Sequence, residues 1–90
     1  MNTYRLGNTS IEEFRRFLEK HDCVRVPSGN SGHEKWVKKG ALRPVVFQTH
    51  IDPIPTFIIK NNLRNIGLSM TDLRAWLKAQ DQKNRNNKKS

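Results

Sequence analysis

Residues 28–41 read Ser28-Gly29-Asn30-Ser31-Gly32-His33-Glu34-Lys35-Trp36-Val37-Lys38-Lys39-Gly40-Ala41. A small polar loop empties into a strand from His33 to Val37, and Lys38-Lys39-Gly40-Ala41 turns the chain back. Upstream, Cys23 to Val26 is short, apolar-rich and β-branched, and Pro27, which cannot donate to a strand ladder, stops it. Downstream, Val45-Val46-Phe47-Gln48-Thr49 reads as a third strand with Pro44 at its edge. Short connections can join only antiparallel neighbours, so the three strands predict an antiparallel meander.

Helical signals flank the meander. Ser10 and Glu13 have the spacing of a capping box, and Ile11, Phe14, Phe17 and Leu18 recur at helical intervals. A first helix is therefore expected over Ile11–Lys20, with Arg15, Arg16, Glu19 and Lys20 on its wet side. No glycine follows it, so His21 and Asp22 must close it. After the third strand, Asp52-Pro53-Ile54-Pro55 is extended, because each proline biases its predecessor away from helix. A second helix opens at Pro55 or Thr56, buries Ile58, Ile59, Leu63 and Ile66, and ends at Gly67. Ser69, with Asp72 at N3, caps a third helix whose apolar stripe is Met70, Leu73, Trp76 and Leu77. From Gln80 the chain has no apolar residue to offset its ordering entropy. Residues 1–9 thus read as an N-terminal extension, 10–79 as one domain and 80–90 as a basic disordered tail. The element order predicts an α+β fold with a three-stranded antiparallel sheet. Helices cover one face of that sheet and leave the other open.

Ninety residues suffice for one small core. Seventeen Lys and Arg against eight Asp and Glu give a formal charge of +9, which favours a polyanionic partner: RNA, DNA, an anionic membrane or an acidic protein. Cys23 is the only cysteine, so no intrachain disulfide can form and a reducing compartment is expected. Its apolar setting reads as that of a core thiol. Met1 to Gly7 lacks the apolar run of a signal peptide, and no segment is long enough to span a bilayer. A cytoplasmic protein with no membrane partner is the expectation.

His33 stands where the glycine loop enters the strand. Imidazole both takes and gives protons near neutral pH, which next to a phosphate-attracting surface suggests proton transfer on a nucleic acid. The plainer reading is an exposed histidine after a hairpin turn. Strand alternation refines the choice. If Trp36 packs against the helices, His33, Lys35 and Val37 face outward. Burying Val45, Phe47 and Thr49 likewise sends Val46, Gln48 and His50 outward, placing both histidines on the open face. The continuous apolar runs Trp36-Val37 and Val45-Val46-Phe47 also allow the opposite phase, which separates them. His33, His50 and Cys23 lack metal-ligand spacing, and the glycine loop lacks the lysine of a nucleotide-binding loop. No metal or cofactor is therefore expected. Trp36 and Trp76 read as core residues rather than base-stacking platforms.

The run Glu12-Glu13-Phe14-Arg15-Arg16-Phe17-Leu18-Glu19-Lys20 is followed by a short strand and then Ser31-Gly32-His33-Glu34-Lys35-Trp36. Next come Val45-Val46-Phe47-Gln48-Thr49-His50, a proline-bearing loop, and Phe57-Ile58-Ile59-Lys60-Asn61-Asn62-Leu63-Arg64-Asn65-Ile66-Gly67-Leu68-Ser69. In order and spacing, residues 10–70 resemble the HicA (YcfA-like) toxins of bacterial type II toxin–antitoxin systems. The chain departs from that family in having Ser-Gly-His for Gly-Ser-His and His21-Asp22 for a glycine after the first helix. It also continues into a third helix and a basic tail. The resemblance implies a double-stranded-RNA-binding-domain-like α-β-β-β-α fold, here with an added C-terminal helix. It further implies a metal-independent endoribonuclease, an mRNA interferase, neutralised by a HicB-type antitoxin that masks its site. The family's catalytic histidine falls on His33, and His50 matches a later histidine, a possible second proton-transfer group.

Lys35, Lys38, Lys39 and Arg43 lie close enough to His33 in sequence to hold RNA phosphates, or else they form a solvated basic hairpin. Lys60 and Arg64 fall on the solvent side of their helix. Two other functions fit the same charge: a non-catalytic RNA-binding module of the same fold, and a small protein that docks an acidic partner.

Overall fold

The structure, a computed structural model, describes the backbone of residues 9–88 and the side chains of residues 9–83. Its elements run α1 (Ile11–Lys20), β1 (Cys23–Val26), β2 (His33–Lys38), β3 (Val45–Gln48), α2 (Thr56–Asn65) and α3 (Met70–Lys88). The fold is α+β in the order α-β-β-β-α-α, as the sequence predicts. Among the described residues no helix is long and apolar enough to cross a membrane.

Each helix begins or ends where a backbone group needs a partner. At α1 the Ser10 hydroxyl accepts the Glu13 N–H and the Glu13 carboxylate accepts the Ser10 N–H, both at 3.0 Å. This is the reciprocal cap expected from the spacing. Asp22 closes α1 in the left-handed region, at φ 64°, taking the place a glycine would occupy. Gly67 ends α2 at φ +77°. There the Gly67 N–H donates to the Arg64 carbonyl at 3.2 Å and the Leu68 N–H to the Leu63 carbonyl at 2.9 Å.

The third helix differs from expectation. It continues past Gln80 to Lys88, so residues 80–88 are helical where the sequence predicts a disordered tail. Once Leu73 and Leu77, both fully buried, anchor the first turns, each added residue gains a hydrogen bond, and no glycine or proline interrupts. A lack of apolar residues argues against packing, not against helix propagation. Thr9, assigned above to an N-terminal extension, is fully buried, and its carbonyl accepts the Ile54 N–H at 3.0 Å. Residues 1–8 and 89–90 of the two predicted extensions lie outside the described residues.

The sheet is an antiparallel meander in the order β1-β2-β3. Its register sets Arg25 opposite Trp36 and Cys23 opposite Lys38 in one ladder, and Glu34 opposite Phe47 and Trp36 opposite Val45 in the other. Opposed residues share a face, and this face lies under the helices. Phe14, Phe17, Leu18, Ile59, Leu63, Leu73 and Leu77 close over Cys23, Trp36, Val45 and Phe47. Phe14 meets Phe47 edge-on at 5.4 Å and Phe17 meets Trp76 at 5.7 Å. Trp36 is buried in the core, and Trp76 is partly buried against it. Burial raises the Cys23 thiol pKa above its ordinary value. The opposite face carries Val24, Val37 and Val46, 60%, 37% and 37% exposed. At these three valines the face is open to solvent.

The outer edge of β3 is not left open. Val46 faces outward in the ladder, and the Asn62 amide of α2 takes both its backbone groups. The amide oxygen accepts the Val46 N–H at 3.1 Å, and its nitrogen donates to the Val46 carbonyl at 2.9 Å. Asn65 adds a bond to the Pro44 carbonyl. A side-chain amide thus mimics a fourth strand and blunts the edge.

Candidate functional site

The position of His33 follows from how β2 is pinned from below. Glu34 and Trp36 point into the helical layer, so His33, Lys35 and Val37 point away from it. Glu34 is only 1% exposed. Arg15 reaches it from α1 with Nε at 3.0 Å and a terminal nitrogen at 2.7 Å, and Trp36 donates its indole N–H at 2.7 Å. A terminal nitrogen of Arg25 lies 3.5 Å away. Burial by itself pushes the Glu34 carboxyl up. The hydrogen bonds from Arg15 and Trp36 and the charges of Arg15 and Arg25 outweigh it and hold the carboxyl below its usual range. A one-residue slip of β2 would expose this carboxylate's partners and drive Lys35 into the core. The buried ion pair therefore fixes which face His33 occupies.

On the outward face, Gly32 enters the strand at φ +88°, and the His33 N–H donates to the Asn30 carbonyl at 3.1 Å. The His33 ring is half-buried and lies opposite Gln48 of β3. It lines a cleft of about 330 Å³ with Val46, Gln48, Ile51, Pro55 and Phe57. The far wall is held by the 50–55 loop, whose Asp52 carboxylate accepts the Ile11 N–H at 3.1 Å. Phe57 is 66% exposed. His33 Nδ1 is enclosed and makes no hydrogen bond, the one buried side-chain polar atom among the described residues in that condition. Nε2 is not enclosed in this way. The cleft can seat a planar ring against Phe57 while Nε2 exchanges a proton with a neighbouring hydroxyl or oxyanion. No described side chain orients the imidazole from behind, as a triad carboxylate would.

Of the basic residues singled out from the sequence, only Lys35 accompanies His33. It lies two positions along the same face, roughly 7 Å away along the strand. Lys38 ends β2 at the opposite end of the sheet, roughly 17 Å from His33 by strand rise. Its Nζ donates to the His21 carbonyl, so it serves as the cationic cap of α1. Lys39 and Arg43 are exposed in the β2–β3 connection at that same far end. His50 falls in an exposed turn beyond β3, at the His33 end of the sheet but outside the lining of its cleft. Thr49 is exposed rather than buried, because β3 stops at Gln48 and its alternation lapses there. The residue that faces His33 across the ladder is Gln48, which alternation had already sent outward. Phe57 carried no signal, being one apolar residue among several at the start of a helix.

No group of three or more His, Cys, Asp or Glu side chains among the described residues is placed to hold a metal ion. Comparison with family models, with curated proteins and with solved structures finds no match to this chain.

Proposed function

We propose that the chain is a histidine-dependent, metal-independent endoribonuclease of the HicA type, the toxin of a toxin–antitoxin pair acting on mRNA in the cytoplasm. The observation that carries the reading is His33 itself, in a cleft on the outward sheet face with Lys35 beside it, in a chain of charge +9. Attack of a ribose 2′-OH on its own phosphodiester forms one O–P bond and breaks the bond to the 5′-oxygen. The products are a 2′,3′-cyclic phosphate and a free 5′-OH. His33 Nε2 takes the 2′-OH proton or delivers one to the leaving oxygen, a role worth roughly 10²–10⁴-fold. Lys35 stabilises charge developing on the non-bridging oxygens. His50, at the same end of the sheet, is the candidate for the second proton transfer. A HicB-type antitoxin would mask the cleft by covering the open face, where Val24, Val37 and Val46 offer it apolar surface.

The competing reading is a non-catalytic RNA-binding module. Two observations favour it: His33 has no orienting partner, and Lys38 is committed to α1. Induced expression in bacteria separates the two. Growth arrest with new 5′ ends in mRNA, abolished by His33→Ala and relieved by a co-expressed antitoxin, is the expected result. No new 5′ ends from wild type or from His33→Ala, with RNA still bound by both, would leave only the binding module.

A further inference from the structure

The uneven distribution of charge is not explained by a site at His33 alone. From Lys35 to Met70 the chain carries six basic residues and one acid, Asp52, whose carboxylate is engaged with the start of α1. Arg15, Arg16 and Arg25, by contrast, pair with Glu12 and Glu34. Lys35, Lys39, Arg43, Lys60, Arg64 and Arg74 pair with no acid among the described residues.

These six cations line three clefts that share residues. Lys35, on the His33 face, and Arg43 line a small cleft of about 200 Å³ at the hairpin. Arg43 and Lys39 line the next, about 550 Å³, where the hairpin meets the end of α2 at Arg64. Arg64 also lines the third, about 650 Å³, between α2 and the start of α3, together with Lys60 and Arg74. None of the three has an Asp or Glu in its lining. The fold brings this about simply. Lys60 and Arg64 are one turn apart on α2, and the Gly67 turn folds α3 back so that Arg74 faces the same groove.

We infer that this band is the path of an RNA backbone, running from the cleavage cleft around the hairpin end of the sheet and along the α2–α3 groove. The inference rests on the proposed ribonuclease reading for the identity of the polyanion, but it assigns binding to residues of α2 and α3, away from the reacting histidine. A continuous line of unpaired cations suits a linear polyphosphate. A compact acidic protein patch would need them clustered rather than strung out.

The test is RNA binding by full-length His33→Ala protein, measured by anisotropy of a short labelled single-stranded oligoribonucleotide across a salt series. Each single-strand phosphate contact contributes about 0.7 to the slope of log K against log salt, or roughly fivefold in affinity at about 0.1 M salt. Arg64→Gln should weaken binding by about fivefold, and Arg43→Gln/Arg64→Gln/Arg74→Gln by about 100-fold with a slope shallower by about 2. Arg16→Gln removes the same single charge from α1, where Glu12 already pairs it at 3.5 Å, and should leave both quantities unchanged. These sites are exposed, so melting curves of all variants should coincide. Track variants that bind like Arg16→Gln, or a chain with no RNA affinity at this salt, would overturn the inference. Wild-type cleavage, scored separately, distinguishes the two claims. Weakened binding by the track variants without any cleavage by wild type would sustain the track and remove the nuclease.

Discussion

Replacing Glu34 by Gln should cost the domain more stability than any other single conservative change among its polar residues. The carboxylate is 1% exposed and receives two short bonds from Arg15 and one from Trp36. Breaking a buried pair by neutralising one partner costs about 3–5 kcal/mol. Arg15 and Arg25 are 33% and 58% exposed, so both can recover some hydration, which places the cost near the lower end, about 3 kcal/mol. A domain of this size holds roughly 5–12 kcal/mol in total, and its midpoint should fall by roughly 12 °C or more. The acid limb supplies an independent check. Glu34 is held below its unfolded pKa, so its contribution is complete above about pH 4.3 and fades as pH falls through the folded value. The gap between wild type and Glu34→Gln should therefore shrink on acidification below about pH 4. Urea denaturation followed by far-ultraviolet circular dichroism at several pH values measures both. A loss under about 1 kcal/mol at neutral pH, or a gap unchanged by acid, would refute the claim that this pair pins β2.

Three further outcomes are expected. Asn62→Ala leaves the Val46 N–H and carbonyl without partners, at about 1–3 kcal/mol, and reopens the β3 edge. Denaturation should show the loss, and light scattering should show concentration-dependent self-association. Gly67→Ala forces a side chain into φ +77° and should cost about 1 kcal/mol by thermal melting, although no atom lies within 4 Å of the added carbon. Phe57→Ala removes a ring that is 66% exposed, so the melting temperature should hold while RNA cleavage by the purified protein falls.

Much of the fold was legible because local chemistry and tertiary packing agree. The Ser10–Glu13 box, the Gly67 terminator and the Cys23–Val26 strand need no knowledge of distant residues. Alternation through Glu34 and Trp36 correctly set His33 and Lys35 outward, although the apolar run at Trp36-Val37 allowed either phase. What alternation could not reveal is why this phase wins, since the Arg15–Glu34 pair joins residues 19 apart in sequence. The capture of Lys38 by the end of α1 and of the β3 edge by Asn62 are likewise long-range. For the same reason, sequence proximity gathered Lys38, Lys39 and Arg43 around His33, whereas a strand carries its two ends apart. The link from the hairpin to Arg74 was hidden for the converse reason: Arg64 meets the hairpin, and Arg74 meets Arg64, only after α2 and α3 have folded.

The most direct test of the central claim is cleavage of a labelled RNA by purified wild type and His33→Ala in excess chelator, with product ends identified and RNA binding measured on the same samples. The account predicts 2′,3′-cyclic phosphate and 5′-OH ends from wild type, and a loss of at least roughly 10²-fold in His33→Ala with binding retained. Equal cleavage by both proteins, or none by a folded, RNA-binding wild type, would contradict it.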